Sequence, residues 1–262
     1  MLSLCTIASG SKGNCTLIRS PKGNILIDLG ISCKAGADKL ASVGVSPAEI
    51  DAIVVTHSHT DHVCGIDLFS NKYGTPIFAP YAVCDGMMRA KGKSYKNLQA
   101  TLHNDFFIKD MTVSSFAVSH DVPCFGYSIY AAGSKVTLLT DTGIVADSLV
   151  REISDSDIVV LESNHDVELL KANQRYNASL KQRILGTRGH LSNPDSAEVS
   201  AKLVRGGVRQ IILAHLSEEN NDPLLALRTH ERRLEQEGVL VGRDVLIDVA
   251  SQHQVSKYYE IL

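Results

Sequence analysis

The chain has 262 residues, of which 44% are hydrophobic and 21% charged, and its formal net charge is −3. This balance predicts a soluble globular protein with a sizeable core, and no apolar stretch approaches the roughly 18 residues of a membrane-spanning helix. The slightly negative charge excludes a whole-molecule field that attracts nucleic acid or an anionic membrane, so any such binding must be local.

Short apolar β-rich runs alternate with helical patterns along the chain. Strands are predicted at 2–8, 15–18, 25–29, 52–56, 76–79, 111–118, 126–130, 136–140, 158–161, 210–214 and 245–249. Helices are predicted at 33–43, 63–73, 81–91, 147–153, 166–172, 178–185, 195–205 and 222–237. Hairpin-like strands come first and strands alternating with helices follow, which favours an α/β (α+β) fold of two sheets with helices outside them. No linker or repeat interrupts this order, so we expect a single domain over residues 1–262.

The six cysteines contain no C-x-x-C pair, and a chain of this length without paired spacing favours reduced thiols over disulfides. The first residues lack a basic start followed by an apolar run, so no secretory signal is predicted. We therefore expect a cytoplasmic protein.

A cluster of metal-ligating residue types follows the apolar run at 53–55. It reads H-x-H-x-D-H and comprises His57, His59, Asp61 and His62. Two imidazoles two positions apart after a strand can face the same cation, and imidazole together with carboxylate suits zinc, manganese or iron. The cluster predicts a metal site, with room for two ions.

Three further polar residues stand at the ends of apolar runs. They are His120, Asp141 and His215. Strand ends deliver side chains to clefts, so we expect these three to join the metal site.

With this set the chain resembles the metallo-β-lactamase-fold hydrolases, over nearly its whole length. The resemblance implies a four-layer αβ/βα sandwich of two mixed β-sheets flanked by helices, with two divalent or mixed-valence metal ions at one edge. It assigns His57, His59 and His120 to one ion and Asp61, His62 and His215 to the other, with Asp141 bridging both. The early aspartate of the superfamily corresponds to Asp28, which would orient a ligand from outside the coordination sphere.

Two segments favour the phosphodiesterase branch of the superfamily. Residues 119–127 are similar to the H…P…G-Y segment of tRNase Z, and residues 189–192 resemble its G-H-S/T segment. A histidine in that position can protonate a leaving alkoxide near neutral pH. His190 is the expected proton donor or phosphate ligand.

Four segments resemble the YycJ/WalJ family more closely. They are the S-G-S-x-G-N loop at 9–14, E-S-N-H-D at 162–166, G-H-L-S-N at 189–193 and H-L-S-x-E-N-N at 215–221. Members of that family are bacterial cytoplasmic proteins associated with a two-component system of cell-wall control. The resemblance implies 5′→3′ exonucleolysis of DNA with manganese or iron-like metals.

The remaining expectations concern substrate contacts. The backbone amides and hydroxyls of the loop at 9–14 can approach a phosphate closely. In this loop the expected phosphate contacts are Ser9, Ser11 and Asn14. From the other segments, His165, His190 and Ser192 are expected phosphate contacts, and Glu162 is expected to support a ligand. Two local basic runs are candidate DNA contacts: Arg89, Lys91, Lys93 and Lys96, and Lys171, Arg175, Lys181, Arg183 and Arg188.

The expected reaction is phosphodiester hydrolysis by a hydroxide that bridges the two ions, with Asp61, Asp141 and His190 as the catalytic set. A tRNA- or RNA-processing nuclease, a small-molecule thioester, lactone or cyclic phosphodiester hydrolase, and a metal-binding sensor without catalysis remain alternatives. His103, His230 and His253 belong to no pattern, and His230 is predicted to lie on a solvated helix face because its neighbours are charged.

Overall fold

A computed structural model describes residues 1–261, and these fall into two compact units. The first unit contains residues 1–117, 122–134 and the segment from 251 onward. The second contains residues 118–121 and 135–250.

The first unit is built on a seven-stranded sheet with the order β14-β1-β2-β3-β4-β5-β6. Strands β1 to β3 pair antiparallel, and β3 to β6 pair parallel. The strands are β1 (Ser3–Ala8), β2 (Cys15–Arg19), β3 (Asn24–Ile27), β4 (Ala52–Val54), β5 (Ile77–Pro80), β6 (Leu98–Thr101) and β14 (Tyr259–Glu260).

Helices and a second group of strands complete the first unit. The helices are α1 (Cys33–Ser42), α2 (Thr60–Val63), α3 (Ile66–Tyr73) and α4 (Tyr81–Lys91), and the strands are β7 (Asp105–Ile108), β8 (Met111–Val118) and β9 (Cys124–Ala131). A buried apolar cluster lies between the first sheet and these helices, with Phe69 and Met87 fully buried in it. Burial of such side chains contributes about 1.5–3 kcal/mol each, which anchors the loop after β4 on a rigid base.

The second unit alternates strand and helix. Its strands pair parallel in the order β10-β11-β12-β13, and they are β10 (Ser134–Leu139), β11 (Ile158–Glu162), β12 (Gln210–Ala214) and β13 (Leu246–Val249). The helices are α5 (Asp147–Ile153), α6 (Val167–Ala172), α7 (Ala178–Leu185), α8 (Asn193–Gly206) and α9 (Pro223–Glu235). Parallel pairing brings the carboxyl ends of neighbouring strands to one edge, which is where polar side chains can meet.

The return segment, residues 251–258 of the first unit, binds the loop at 9–14 through its first two residues. The Ser251 carbonyl accepts from Ser9 N at 3.0 Å. The Gln252 side chain accepts from Lys12 N at 2.8 Å and donates to the Gly13 carbonyl at 2.9 Å. Residues at opposite ends of the sequence therefore shape this loop together.

The fold class expected from the sequence is confirmed, with two mixed seven-stranded sheets and flanking helices. The predicted bounds at 111–118, 210–214, 81–91, 147–153 and 178–185 match the structure residue for residue. Strands β6 and β7 were missed because they are short, and most of their side chains are not buried. The single domain over residues 1–262 stays a prediction. Among the described residues, no helix has both the length and the apolar character needed to span a membrane.

Candidate metal centre

The loop after β4 gathers three imidazoles in the first unit. The ring centroid of His57 lies 4.7 Å from that of His59 and 4.1 Å from that of His62. His59 is the N-cap residue of α2, so the helix begins inside the H-x-H-x-D-H sequence and contains Asp61 and His62. The local sequence thus brings the three rings close together.

A buried carboxylate stands behind this cluster. Asp28 follows β3 and accepts from Thr56 N at 2.8 Å, from the Thr56 hydroxyl at 2.7 Å and from His62 Nδ1 at 2.7 Å. Because the Thr56 hydroxyl donates to Asp28, its oxygen is left to accept from His57 Nδ1, 3.0 Å away. Both rings are therefore held by Nδ1, which leaves Nε2 as the atom that can bind a metal. Thr56 is a supporting residue that the sequence analysis missed.

Asn14 lies close to the Nε2 atom of His62. Its Nδ2 is 3.0 Å from His62 Nε2 and 3.4 Å from the Asp61 carbonyl, while Oδ2 of Asp61 is 3.6 Å from the same Nε2. The Asn14 side chain also accepts from Gly10 N and donates to the Gly10 carbonyl. Asn14 therefore joins the loop at 9–14 to the histidine loop.

The prediction that the backbone amides of the loop at 9–14 contact a phosphate is wrong for five of the six amides. Those of Ser9, Gly10, Lys12, Gly13 and Asn14 all donate to oxygens within the first unit. An amide already bonded to protein oxygen cannot also cradle a phosphate. The loop is packed closely against Gly30 on the side where Asn14 lies. A Cβ at Gly30 would lie 1.6 Å from the Asp61 carbonyl oxygen.

A second cluster lies at the strand ends of the second unit. Asp141, Glu162, His190 and His215 each offer a ligand atom, and these atoms lie within 4.8 Å of one another. Asp141 comes two residues after β10, Glu162 ends β11, and His215 directly follows β12. His190 comes from the loop before α8. The parallel ladder thus delivers three of the four groups.

Glu162 organises this second cluster. Its Oε1 accepts from His190 Nδ1 and from His215 Nδ1, each at 2.8 Å, and its Oε2 accepts from Thr142 N at 3.0 Å and Leu191 N at 3.2 Å. Burial raises the pKa of this carboxyl, but the charges and hydrogen bonds of His190 and His215 outweigh burial and hold the pKa below its ordinary value. A buried carboxylate with four donors is a rigid support for both rings.

Three site residues have left-handed backbone conformations. The φ angles are 61° at Asp28, 59° at Asp141 and 57° at His215. Such a conformation costs a residue other than glycine on the order of 1–3 kcal/mol, and it persists where the surroundings fix it. All three residues follow strands, where this turn of the backbone directs the side chain away from the strand path.

His120 lies beyond the end of β8 and is anchored to the loop before α8. Its Nδ1 donates to the Gly189 carbonyl at 3.2 Å, and burial lowers its pKa. Arg188 donates to the His120 carbonyl at 2.9 Å and to the Asp121 carbonyl at 3.0 Å. The charged run that ends at Arg188 therefore helps to fix His120.

Four histidines share one hydrogen-bonding pattern. His57, His62, His120 and His215 each place Nδ1 against an oxygen acceptor of their own unit. Metal-ligating histidines usually donate their other ring nitrogen in this way, and the accompanying carboxylates complete a donor set that suits divalent ions. The His/Asp clusters are therefore suited to divalent metal binding.

Comparison with known proteins agrees with this chemistry. A model of the metallo-beta-lactamase superfamily matches residues 8–153. The exodeoxyribonuclease WalJ of Streptococcus pneumoniae serotype 2 (strain D39) is 36% identical, in an alignment that covers 97% of this chain and 96% of the relative. The exodeoxyribonuclease YycJ of Bacillus anthracis is 35% identical, with 92% of each chain covered. The chain belongs to the WalJ/YycJ family.

The fold of this WalJ/YycJ family member also matches solved structures. The metallo-beta-lactamase fold protein YhfI from Bacillus subtilis superposes with a TM-score of 0.72 at 16% identity, covering 98% of this chain and 100% of that one. At this identity the similarity shows the fold alone. It agrees with the fold class that the sequence predicted.

The other expected phosphate contacts lie in the segments that resemble the WalJ/YycJ family. His165 is buried, neither ring nitrogen has a hydrogen-bond partner within the described residues, and burial lowers its pKa to about 4. Ser192 is the N-cap of α8, where its hydroxyl accepts from Asp195 N and donates to the Asp195 carboxylate. Ser9 is buried and Ser11 is exposed. Their roles as phosphate contacts stay predictions.

The solvated position predicted for His230 is wrong. The residue is fully buried, with Nδ1 donating to the Ala226 carbonyl at 2.8 Å and Nε2 3.1 Å from the Ser196 hydroxyl. Ala226, His230 and Leu234 are four residues apart and form the buried stripe of α9. The charged neighbours belong to the other faces of the same helix. His103 and His253 are exposed.

Acidic partners reduce the positive charge of both basic runs. In the first run, Arg89 pairs with Asp85 and Lys91 with Asp67. In the second run, Lys171, Arg175 and Arg183 pair with Glu168, Glu219 and Asp121. These pairs limit what either run can offer a phosphate backbone.

Proposed function

We propose that this WalJ/YycJ family member is a dinuclear-metal-dependent phosphodiester hydrolase that degrades DNA as a 5′→3′ exonuclease. Two relatives at 36% and 35% identity over nearly the whole chain bear the name exodeoxyribonuclease. The observation that carries the proposal is the anchoring of four histidines through Nδ1, because this makes Nε2 the ligand atom of each ring, and at His62 a metal ion would take the place of the Asn14 amide that lies 3.0 Å from Nε2.

The ligand assignment follows the superfamily resemblance. In the first unit the proposed ligands are His57, His59, Asp61 and His62, and in the second they are His120, Asp141 and His215. The ions proposed are zinc, manganese or iron, since imidazole and carboxylate together accept all three. Asp28 and Glu162 act as the oxygen acceptors that hold ligand rings in place.

Divalent ions bound there would activate water and offset the negative charge that grows on the phosphate oxygens. The protein's own contribution to the leaving group is His190. With Nδ1–H held by Glu162, a second proton on Nε2 makes an imidazolium paired with a buried carboxylate. We assign His190 the protonation of the departing oxygen, and the ring is 16% exposed, so substrate can reach it.

Substrate contacts are proposed at the loop at 9–14, through Ser9, Ser11 and Asn14, and at His165 and Ser192 in the second unit. Side chains carry this role in the loop, since five of its amides are already bonded. The two local basic runs are proposed to add a longer-range attraction for DNA, which their acidic partners reduce. A cytoplasmic location is proposed because the six cysteines are thiols and not disulfides in the part of the chain that the structure describes, as expected in a reducing compartment.

A nuclease assay tests the proposal. Purified protein with Mn²⁺ is incubated with 5′-phosphorylated duplex DNA, single-stranded DNA and RNA carrying a 5′ label. Wild type is compared with Asp141→Ala and His190→Ala, and His253→Ala is the control because His253 is exposed. We expect release of labelled mononucleotide from DNA, its loss in the first two variants and wild-type rates in the control.

Other outcomes distinguish the alternatives. Cleavage of RNA with intact DNA would replace the proposal by an RNA-processing nuclease. Intact nucleic acids together with measurable metal binding would favour a small-molecule hydrolase. Intact nucleic acids and no turnover of thioester, lactone or cyclic phosphodiester substrates would leave a metal-binding sensor.

A further inference from the structure

Three loops of the second unit are joined by a group of side chains, of which Ser163 and Asn193 are fully buried. We name Ser163, Asn193 and Asn221 the amide clasp. Asn193 and Asn221 exchange hydrogen bonds through their amides, at 2.8 Å and 2.9 Å. The Ser163 hydroxyl donates to Asn193 Oδ1 at 2.7 Å, and Asn221 Nδ2 donates to the Ser163 carbonyl at 2.9 Å. The clasp fixes the loops after β11, before α8 and after β12 to one another.

Asn164 lies beside the clasp and contacts two of these loops directly. Its side-chain Nδ2 donates to the His215 carbonyl at 2.8 Å. Its backbone N donates to the Leu191 carbonyl at 2.9 Å, and its carbonyl accepts from Ser217 N at 2.8 Å. The residue is 5% exposed, so these bonds form away from competing water.

The bond to His215 reaches a backbone that needs support. His215 has a left-handed conformation with φ of 57°, a state that costs a histidine on the order of 1–3 kcal/mol unless its surroundings compensate. Its carbonyl is the group that Asn164 holds. Its ring is held at the other end, where Nδ1 donates to Glu162 Oε1 at 2.8 Å.

Glu162 and Asn164 thus hold one histidine at two points. Glu162 is the last residue of β11, and Asn164 lies two residues beyond it. Glu162 fixes the ring and Asn164 fixes the carbonyl. Both are needed to define the direction of Nε2, because a ring bonded only at Nδ1 can still swing about that bond.

We infer that Asn164 is a positioning residue for His215, and that its side-chain amide sets the direction of the His215 Nε2 atom by holding the His215 carbonyl. The inference rests on the proposed function, in which His215 binds a metal ion. It gives the asparagine of the E-S-N-H-D segment a role distinct from contact with substrate.

The test uses the isosteric variant Asn164→Asp, which lacks the donor and places a carboxylate against the His215 carbonyl. Asn173→Asp is the matched control, because Asn173 also donates a side-chain amide bond, to Asn220 Oδ1 at 2.7 Å, and does not contact His215. Asn164→Ala is prepared as well, so that a failure of Asn164→Asp to fold does not end the test.

Three readouts do not depend on activity. Long-range ¹H–¹⁵N spectra of the metal-free protein report which ring nitrogen of each histidine carries the proton, and the His215 signals are assigned by their loss in His215→Asn. Calorimetric titration with Mn²⁺ alone reports metal affinity. Thermal unfolding of each variant reports general loss of stability, and steady-state kinetics separate kcat from KM.

For Asn164→Asp we expect shifted His215 signals and Mn²⁺ affinity weakened about tenfold or more, as found when supports of metal ligands are removed. The kcat should fall while KM changes little, and Asn173→Asp should behave as wild type. Wild-type His215 signals and Mn²⁺ affinity in both Asn164 variants would overturn the inference, and so would equal losses in Asn164→Asp and Asn173→Asp. A wild type without nuclease activity that still shows these shifts would refute the proposed function and leave the positioning role standing.

Discussion

His190 and His215 share a single acceptor atom: Nδ1 of each lies 2.8 Å from Oε1 of Glu162. The two rings differ in exposure, since the His190 side chain is 16% exposed and that of His215 is 3% exposed. One carboxylate therefore supports a ring that is partly exposed and another that is buried. This difference separates the proposed proton donor from the proposed ligand.

Replacing the shared acceptor should disturb both rings at once. In wild type, four donors bond to the Glu162 carboxylate. In Glu162→Gln these donors face an amide, so at least one of them loses its acceptor. We expect nuclease activity to fall about 10–100-fold and Mn²⁺ affinity to fall with it, measured by initial rates and calorimetry. Glu168→Gln, on the surface of α6, is the control. Unchanged Mn²⁺ affinity in Glu162→Gln would contradict this role.

The corresponding support in the first unit is Asp28. Asp28→Asn puts an amide where three donors, two from Thr56 and one from His62, converge within 2.8 Å. A buried donor without a partner costs about 1–3 kcal/mol, so the free energy of unfolding in urea should fall by that amount. Asp38→Asn, on the exposed side of α1, should leave it within about 0.5 kcal/mol of wild type. Equal stability of the two variants would show that Asp28 is not the support described.

Metal binding should be visible as thermal stabilisation. A ligand at about 100 times its Kd stabilises the folded state by about 2.7 kcal/mol, which corresponds to a Tm rise of roughly 5–10 °C for a chain of this size. We expect Mn²⁺ or Zn²⁺ to produce this rise in wild type, EDTA to reverse it, and Asp141→Asn to reduce it by more than half. Scanning calorimetry measures these Tm values. A Tm rise in Asp141→Asn as large as that in wild type would remove Asp141 from the ligand set.

Acid should destabilise the second unit through His230. Burial lowers its pKa to about 4, from an ordinary value of 6.5, despite the opposing hydrogen bond to Ala226. Between these two values the unfolded chain binds the extra proton and the folded chain does not, so stability falls as the pH falls through this window. The loss amounts to on the order of 3 kcal/mol. In His230→Gln, urea denaturation at several pH values should show a shallower slope than in wild type or His253→Gln, and an unchanged slope would refute the assignment.

Much of the fold could be predicted because apolar periodicity acts locally. The strand at 111–118 alternates buried and less buried residues over most of its length, and the strand at 210–214 is almost wholly buried, so both carry a strong pattern. Strand β6 has no buried residue and β7 has one, and such short edge strands carry little signal in the sequence. The prediction for His230 was wrong for a related reason. The charged residues around it in the sequence outnumber the buried residues of α9, which recur every four positions.

The ligand residues of the candidate site could be predicted from the sequence, but the groups that hold their rings by hydrogen bonds could not. His57, His120 and His215 stand next to apolar runs, which sequence alone reveals. Thr56 and the Gly189 carbonyl have no such mark, because their roles depend on which loops meet in space. The same holds for the amides of the loop at 9–14, whose partners include residues from the other end of the sequence.

The contact between Lys12 and Gln252 also bears on how the protein is made. These two residues are 240 positions apart, and Ser251 and Gln252 supply three of the hydrogen bonds that shape the loop at 9–14. During synthesis at about 5–20 residues per second, that loop waits more than ten seconds for its partners. Ribosome-bound chains that stop before residue 251 should therefore leave the loop open to proteases, although the strands beside it have already been translated.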